Sequence, residues 1–177
     1  MRALSDGELV ERARSGSVEA AAELFERHWA GAWRVARTVT GRRDMADDIA
    51  QDAFERAFAG LSRFDVTRPF APWLHRIVVN RSLDLLRSER RLVGLERAPE
   101  PDVEWRDAGA DDRALLAAVS ALAPQRRAVV VLRYGLGYPP AAIAELLEVP
   151  VGTVHSRLAR ALDDLRRGQG VGCAERA

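Results

Sequence analysis

Residues 138–167 read YPPAAIAELLEVPVGTVHSRLARALDDLRR, and two helices joined by a tight turn account for the run. Apolar residues recur at helical spacing on both sides of Glu148-Val-Pro150, a three-residue turn followed by Gly-Thr-Val. In the last helix Val154, Leu158, Ala161, Leu162 and Leu165 form the inward stripe. Thr153, His155, Ser156, Arg157 and Arg160 are left outside, near the helix's N-terminal end. This is the layout of a helix-turn-helix, whose second helix enters the major groove of duplex DNA. Arg can read guanine, Ser or Thr can bond a base or phosphate, and the helix N-terminus attracts phosphate. The ordinary alternative is an amphipathic hairpin with a solvated outer face; the turn and the residues after it favour DNA. His155 alone reads as solvated surface.

The net charge of +1 hides this target because it averages an uneven distribution. Residues 41–60 carry three Arg against five acids, and 61–91 carry seven against three. Residues 92–112 carry two against seven, and 113–177 nine against five. Two basic blocks thus flank an acidic one. All 27 basic residues are arginine, which supplies forked donors suited to phosphate and guanine edges. A chain of 177 residues suits one ordinary domain or two small ones, and 47% apolar content is enough for real cores. No apolar run approaches the ~18 residues needed to span a bilayer, so no membrane insertion is expected. The N-terminus shows no apolar signal segment, and the single cysteine, Cys173, can form no internal disulfide. A reducing cytoplasm is the expected location.

The first half reads as helices only. Ser5-Asp-Gly-Glu8 is a capping box ahead of a short helix ending near Gly16. A longer helix spans about Val18–Val39, with Ala21, Leu24, Phe25, Trp29, Ala32, Trp33 and Ala36 at three- and four-residue spacing and Gly41 as its stop. Asp44 is placed to cap the next, Met45 to about Leu61, with Ile49, Ala53, Phe54, Ala57 and Phe58 inside. After a loop at Phe64–Pro72 a helix runs from Trp73 to about Arg91, showing Arg76, Asn80, Arg81, Asp84, Arg87, Arg90 and Arg91 outside. From about Leu92 to Asp112 the periodicity disappears, and Pro99, Pro101, Gly109 and the acids mark a mobile linker. A helix to Leu122 and one from Pro124 to about Tyr134 precede the helix-turn-helix. The expected fold is all-α, with two small helical domains at 1–91 and 113–177 joined by a flexible acidic linker at 92–112.

Two further clusters carry alternatives. Arginines mixed with exposed Asn80, next to a loop bearing Phe64 and Phe70, suit backbone contact plus stacking on an unpaired base. The other reading is a solvated basic helix whose aromatics, Trp73 and Phe70 included, are core. The face with Asp47, Asp48, Gln51, Asp52 and Glu55 is either solvated or a docking face for a basic protein surface. A metal would need a converging second ligand set, and no histidine sits nearby, so no metal is expected. No Gly-rich phosphate loop, nucleophile elbow or zinc spacing occurs; neither catalysis, a cofactor nor a small-molecule substrate is expected.

Three segments taken in order carry a resemblance: Leu24-Phe-Glu-Arg-His with Asp47-Asp-Ile-Ala-Gln-Asp-Ala-Phe54; Pro72-Trp-Leu-His-Arg-Ile-Val-Val-Asn80-Arg-Ser-Leu-Asp-Leu-Leu-Arg87; and Val149-Pro-Val-Gly-Thr-Val-His-Ser-Arg-Leu-Ala-Arg160. Over residues 5–167 the chain closely resembles the bacterial extracytoplasmic-function sigma factors. The resemblance implies that Asp47, Asp48, Gln51, Asp52 and Phe54 dock on the β′ clamp helices of core RNA polymerase, with the β flap as a second polymerase contact. It implies that Phe64, Arg76, Asn80, Asp84 and Arg87 serve the −10 element, Asn80 lining the pocket for a flipped non-template base. It implies that the helix-turn-helix reads the −35 element, with His155, Ser156 and Arg160 on bases and Arg157 on a phosphate. The acidic linker corresponds to the segment threaded toward the RNA exit path, and an anti-sigma factor is an expected partner. The chain departs from the family pattern at His155 (commonly Lys or Arg), at Glu148 (a common turn glycine) and at Pro139-Pro140 (an acidic pair). No appended C-terminal regulatory domain is expected.

The expected function is therefore promoter recognition with core RNA polymerase. The alternative from another class is a stand-alone helix-turn-helix repressor or activator that dimerises through its N-terminal half and binds a palindrome unaided.

Overall fold

Ser5 opens the first helix as its sequence demands: its Oγ accepts from the Glu8 N–H at 3.3 Å, while the Glu8 carboxylate accepts from the Ser5 N–H at 2.8 Å. The computed structural model describes residues 3–92 and 110–174, all helix or turn among these with no strand. Helix α1 spans Asp6–Arg14, α2 Val18–Thr40, α3 Ala46–Gly60 and α4 Phe70–Leu92. In the second half α5 spans Ala110–Ala121, α6 Pro124–Val130, α7 Pro140–Leu147 and α8 Val151–Ala174. A short 3₁₀ turn, Leu61–Arg63, follows α3, and a π turn, Val131–Gly135, extends α6.

Helix α2 ends where expected, at Gly41, whose φ of 73° closes the helix through an N–H bond to the Arg37 carbonyl at 2.8 Å. Asp44, expected to cap α3, does not; Met45 holds that position without a side-chain bond. The Asp44 carboxylate is taken instead by Arg42, through Nε at 3.1 Å and Nη2 at 2.5 Å, and this partner holds its carboxyl below the ordinary range. A two-point guanidinium bond outcompetes a single backbone N–H. Asp47 and Asp48 in the first turn complement the helix dipole without a cap. Helix α4 starts at Phe70 rather than Trp73, with Pro72 in its first turn, where a missing N–H costs nothing.

The N-terminal core forms where α2 packs on α1, α3 and α4, burying Leu24, Val35, Ile49, Phe54, Leu74 and Val78. Each such large apolar side chain contributes about 1.5–3 kcal/mol when fully buried. In the second half α6, α7 and α8 close over Val129, Leu132, Ile143, Val154 and Ala161. The two halves touch: α5 and α6 lie on α2, while α6 and α7 lie on α4. Arg127 of α6 is 5% exposed and donates to the Val39 carbonyl of α2 at 3.0 Å, to Leu122 at 3.0 Å and to Ser120. A buried cation thus closes the C-terminal ends of α2 and α5, where orphan carbonyls and the helix dipole favour positive charge.

The expected linker at 92–112 is helical at both edges, since α4 includes Leu92 and α5 begins at Ala110. Its remaining residues, 93–109, lie outside the described residues, as does the side chain of Cys173. Among the described residues no helix is long and apolar enough to cross a membrane.

Candidate nucleic-acid interface

The turn between α7 and α8 is set by backbone bonds. Val149 N–H reaches the Ala144 carbonyl at 3.0 Å and Glu148 N–H the Glu145 carbonyl at 3.3 Å, the closure of a Schellman-type cap. Glu148 takes the left-handed position (φ 53°, ψ 46°) and is the one non-glycine with positive φ among the described residues. That conformation costs an L-residue about 1–2 kcal/mol relative to glycine. Pro150 then accepts from Thr153 N–H at 2.9 Å and starts α8. Val154, Leu158 and Ala161 are buried, with Leu162 and Leu165 half-buried, as their spacing predicts. His155, Ser156 and Arg160 are exposed, and Thr153 and Arg157 half-buried. All five lie near the N-terminal end of α8, whose first turn carries no acid. The Ser156 hydroxyl donates to the Thr153 carbonyl at 3.0 Å, which turns its lone pairs outward.

Gly152, the second residue of α8, has no structural need to be glycine, because a Cβ built there meets nothing within 4 Å. Gly152→Ala is expected to leave stability unchanged or raise it by up to about 1 kcal/mol. If the first turn of α8 binds phosphate through its N–H groups, the added methyl stands in the approach and weakens duplex binding several-fold. Thermal unfolding and fluorescence anisotropy on duplex DNA check the two halves of this expectation. Unchanged affinity would place that backbone away from the DNA.

Helix α4 presents the second candidate stripe. Asn80, Asp84 and Arg87 are exposed and Arg76 half-buried, along one stripe at three- and four-residue spacing. Arg87 pairs with Asp84 at 2.6 Å, and Arg76 with Glu148 of the turn. The loop before α4 is tied down by Arg14, whose Nε donates to the Leu61 carbonyl at 2.7 Å and whose Nη2 donates to that of Phe64. Asp65 closes it further by accepting from the Thr67 N–H at 3.0 Å and hydroxyl at 2.7 Å, bonds that hold its carboxyl below the usual range.

Phe64, expected at the DNA surface, is buried at 6% exposure and packs on Phe70 at 5.8 Å and Trp73 at 4.8 Å between ring centroids. Phe70 is buried against His28. These rings shape the loop from beneath, since burying three aromatics outweighs leaving them in water. Trp73 is the ring that stays half open. It lines a cleft of about 650 Å³ with Arg63, Arg68, Arg76 and Tyr138, a mix of cations and an aromatic face that suits an unpaired base. His75 is buried, with Nδ1 2.9 Å from the hydroxyl of Tyr138, the cleft's other ring. Burial, with His28 nearby, lowers its pKa to about 4, so the ring is neutral at pH 7.

On α3, Asp47, Asp48, Gln51 and Glu55 are exposed, Gln51 donating to Glu55 at 3.0 Å. Asp52 is half-buried and engaged internally, by Arg56 at 3.1 Å and by Arg81 of α4 at 2.5 Å. Phe54 is 2% exposed within the rings of Phe25, Trp29 and Phe58. Phe54 braces this face from beneath, and Asp52 lies on it half-buried in those ion pairs. Beside Asp47, half-buried Trp29 and Trp33 line a shallow groove with Arg34 and Arg43. The sequence hinted at these indoles only as core members; an amphipathic pattern does not say which stripe residue lies at the rim. Among the described residues no group of three or more His, Cys, Asp or Glu is placed to hold a metal ion.

Comparison with known proteins fits this arrangement. The Sigma-70 region 2 family model matches residues 24–92, and the Sigma-70, region 4 model residues 112–165. The ECF RNA polymerase sigma factor SigM of Mycobacterium tuberculosis is 38% identical over 171 residues, covering 92% of this chain and 84% of that one. RNA polymerase sigma factor CnrH of Cupriavidus metallidurans is 31% identical over 172 residues, covering 89% of this chain and 90% of its own. The solved structure of CnrH in complex with the cytosolic domain of CnrY matches with a TM-score of 0.70 at 29% identity, over 94% of this chain and 97% of that one. Sigma factor RpoE in complex with the anti-sigma factor NepR, from Bartonella quintana, shares the fold at TM-score 0.71 and 20% identity, over 85% of this chain and 96% of that one.

Proposed function

This chain belongs to the extracytoplasmic-function (ECF) family of RNA polymerase sigma factors, and we propose that its two exposed basic readers and its acidic face divide that family's task among them. The chain binds core RNA polymerase, recognises the −35 and −10 promoter elements and initiates transcription. Residues 1–91 carry docking and the −10 element, 92–112 link, and 113–177 carry the −35 element. Asp47, Asp48 and Gln51 meet the β′ clamp helices, with Asp52 and Phe54 holding that face in shape. The second half meets the β flap. Arg76, Asn80, Asp84 and Arg87 serve the −10 element, over a loop that Phe64 supports. Thr153, His155, Ser156, Arg157 and Arg160 serve the −35 element.

The observation that carries the division is the placement of two sets of polar and cationic side chains on separate helices, α4 and α8, each on an outward face. The −35 set sits on a helix built for duplex, and the −10 set beside a cleft with an open indole. Opening the duplex costs a few kcal/mol per unstacked step, offset by capture of a flipped base and by phosphate contacts. No bond chemistry is assigned to the chain. We infer a cytoplasmic location, because the proposed partners, polymerase and chromosomal DNA, are there. CnrH and RpoE are each solved with a protein bound, which supports an anti-sigma factor as a partner here.

Purified chain added to core polymerase should give promoter-specific run-off transcripts, and absence of core binding would overturn the reading. Asn80→Ala should lower open-complex formation about 10-fold or more, the worth of one well-held base, while leaving −35 duplex binding intact. Permanganate reactivity of unpaired thymines measures the first, and electrophoretic mobility shift the second. Equal loss of both would erase the proposed division of labour.

A further inference from the structure

Farther along α4 than Asn80, a cleft of about 300 Å³ opens between that helix, the start of α6 and the first turns of α8. Arg87, Arg126, Arg157 and Arg160 line it, and among the described residues no acid does. The larger cleft before α4 differs in this respect, because Asp65 and Glu145 stand among its arginines. Leu83 and Leu86 of α4, with Pro124, give the smaller cleft an apolar wall. Its shape does not wait for a ligand: Arg127, next to Arg126 on α6, is buried and bonded to the Val39 carbonyl of α2.

The charge gathered here is only partly answered from within. Arg87 pairs with Asp84 at 2.6 Å, and Arg126 with Asp164, which Arg167 also reaches at 2.7 Å. The side chains of Arg157 and Arg160 make no hydrogen bond or ion pair with another described residue. Arg157 is half-buried, so its donors have lost part of their water and gained no acceptor. A guanidinium cannot shed its proton to relieve the repulsion, as a lysine can. Fixed positive charge between low-dielectric walls draws anions, and the planar forks of arginine match phosphate oxygens in pairs. A cleft of this volume admits a small ligand rather than duplex, whose major groove alone is about 12 Å wide.

We propose that this cleft binds the diphosphate group of a small molecule, a nucleoside diphosphate or pyrophosphate itself, through Arg87, Arg126, Arg157 and Arg160. An attached base lies against Leu83, Leu86 and Pro124. Occupancy takes Arg157 and Arg160 away from duplex DNA, so the ligand and the −35 element compete for the chain. The competition rests on the reading of α8 as the −35 reader; the site itself does not, and it is measurable without polymerase.

The experiment is a calorimetric titration of the full chain with sodium pyrophosphate, GDP and sodium sulfate at matched ionic strength. Pyrophosphate and GDP should saturate at about one per chain and bind roughly 10-fold or more tightly than sulfate, since adjacent phosphates engage more of the forks at once. Tighter binding of GDP assigns the apolar wall to its nucleoside, and equal affinity assigns the site to the diphosphate alone. Arg126→Gln should weaken both about 5- to 10-fold, and Gln125→Glu, an exposed change that puts an acid in the cleft, by at least as much. Arg126 is outside the −35 set, so Arg126→Gln should leave −35 duplex affinity within about 3-fold. Should Arg126→Gln loosen the fold by freeing Asp164, Gln125→Glu decides alone. Duplex carrying the −35 element should displace a fluorescent GDP analogue, and simultaneous binding of the two would overturn the competition. Heats that never saturate, sulfate binding as tightly as pyrophosphate, or an affinity unmoved by both variants would overturn the site. A chain that binds diphosphate at these residues yet never binds core polymerase would instead sink the sigma reading and leave the site standing.

Discussion

Arg127→Ala is expected to lower the unfolding free energy by about 3–5 kcal/mol, because it removes three bonds from a charged donor at about 1.5–3 kcal/mol each, less what entering water restores. Arg127 is 5% exposed and donates to three backbone carbonyls, Val39 of α2, Ser120 of α5 and Leu122 just beyond it. Alanine would leave those acceptors dry and a gap between the halves. Each unsatisfied buried acceptor costs about 1–3 kcal/mol, reduced where water can enter the space. Arg127→Lys should recover only part of the loss, because a point ammonium cannot span acceptors that a planar fork reaches together. Urea unfolding at constant m-value measures both. A loss under about 1 kcal/mol for alanine would mean that water replaces the guanidinium and the halves are not held through it.

The sequence made nearly every helix legible because helix signals are local. Spacing gave the inner stripes, Ser5 and Glu8 the first cap, Gly41 the stop, and Pro124 a start that the structure also has. The helix-turn-helix was readable for the same reason, down to Val154, Leu158 and Ala161 pointing in. What failed was everything decided by a partner far along the chain. Arg127 looks no different from Arg126 beside it, yet one is buried under α2 and the other pairs with Asp164. Asp52 belongs by pattern to an exposed acidic face, and Arg81 of the next helix, with Arg56 of its own, draws it in. Phe64 lies in a loop, where an aromatic reads as a binding residue until Phe70 and Trp73 fold over it. His75 needed Tyr138, 63 residues away.

At Asp52 and Phe64, residues expected to meet an external partner, the structure shows an internal partner as well. Phe64 is buried beneath half-buried Trp73, Asp52 is half-buried in its ion pairs with Arg56 and Arg81, and Phe54 lies inside as its spacing predicts. Rigid support of this kind fixes a recognition surface before its partner arrives, which lowers the ordering cost of binding.

On α8 Thr153 and Arg157 are half-buried while His155, Ser156 and Arg160 stay exposed, and that makes Arg160 the sharpest test of specificity. The side chain is exposed, one helical turn beyond exposed Ser156 on the same outward face. Arg160→Ala should therefore change folding stability by less than about 0.5 kcal/mol. Its effect should appear on DNA alone: a bidentate arginine on a guanine edge is worth about 1–3 kcal/mol, roughly a 5- to 150-fold loss of affinity for the preferred −35 duplex. The loss should vanish on duplexes changed at the one base pair Arg160 reads, and the slope of log affinity against log salt should stay the same. Arg157→Ala should do the reverse, weakening all sequences evenly and reducing the salt slope by about one. Competition binding over a set of single-pair variants, repeated at several salt concentrations, separates the two. If Arg160→Ala instead weakens every sequence alike and flattens the slope, it is a phosphate contact, and base reading passes to His155 and Ser156. If neither substitution matters, α8 does not face the duplex with this side.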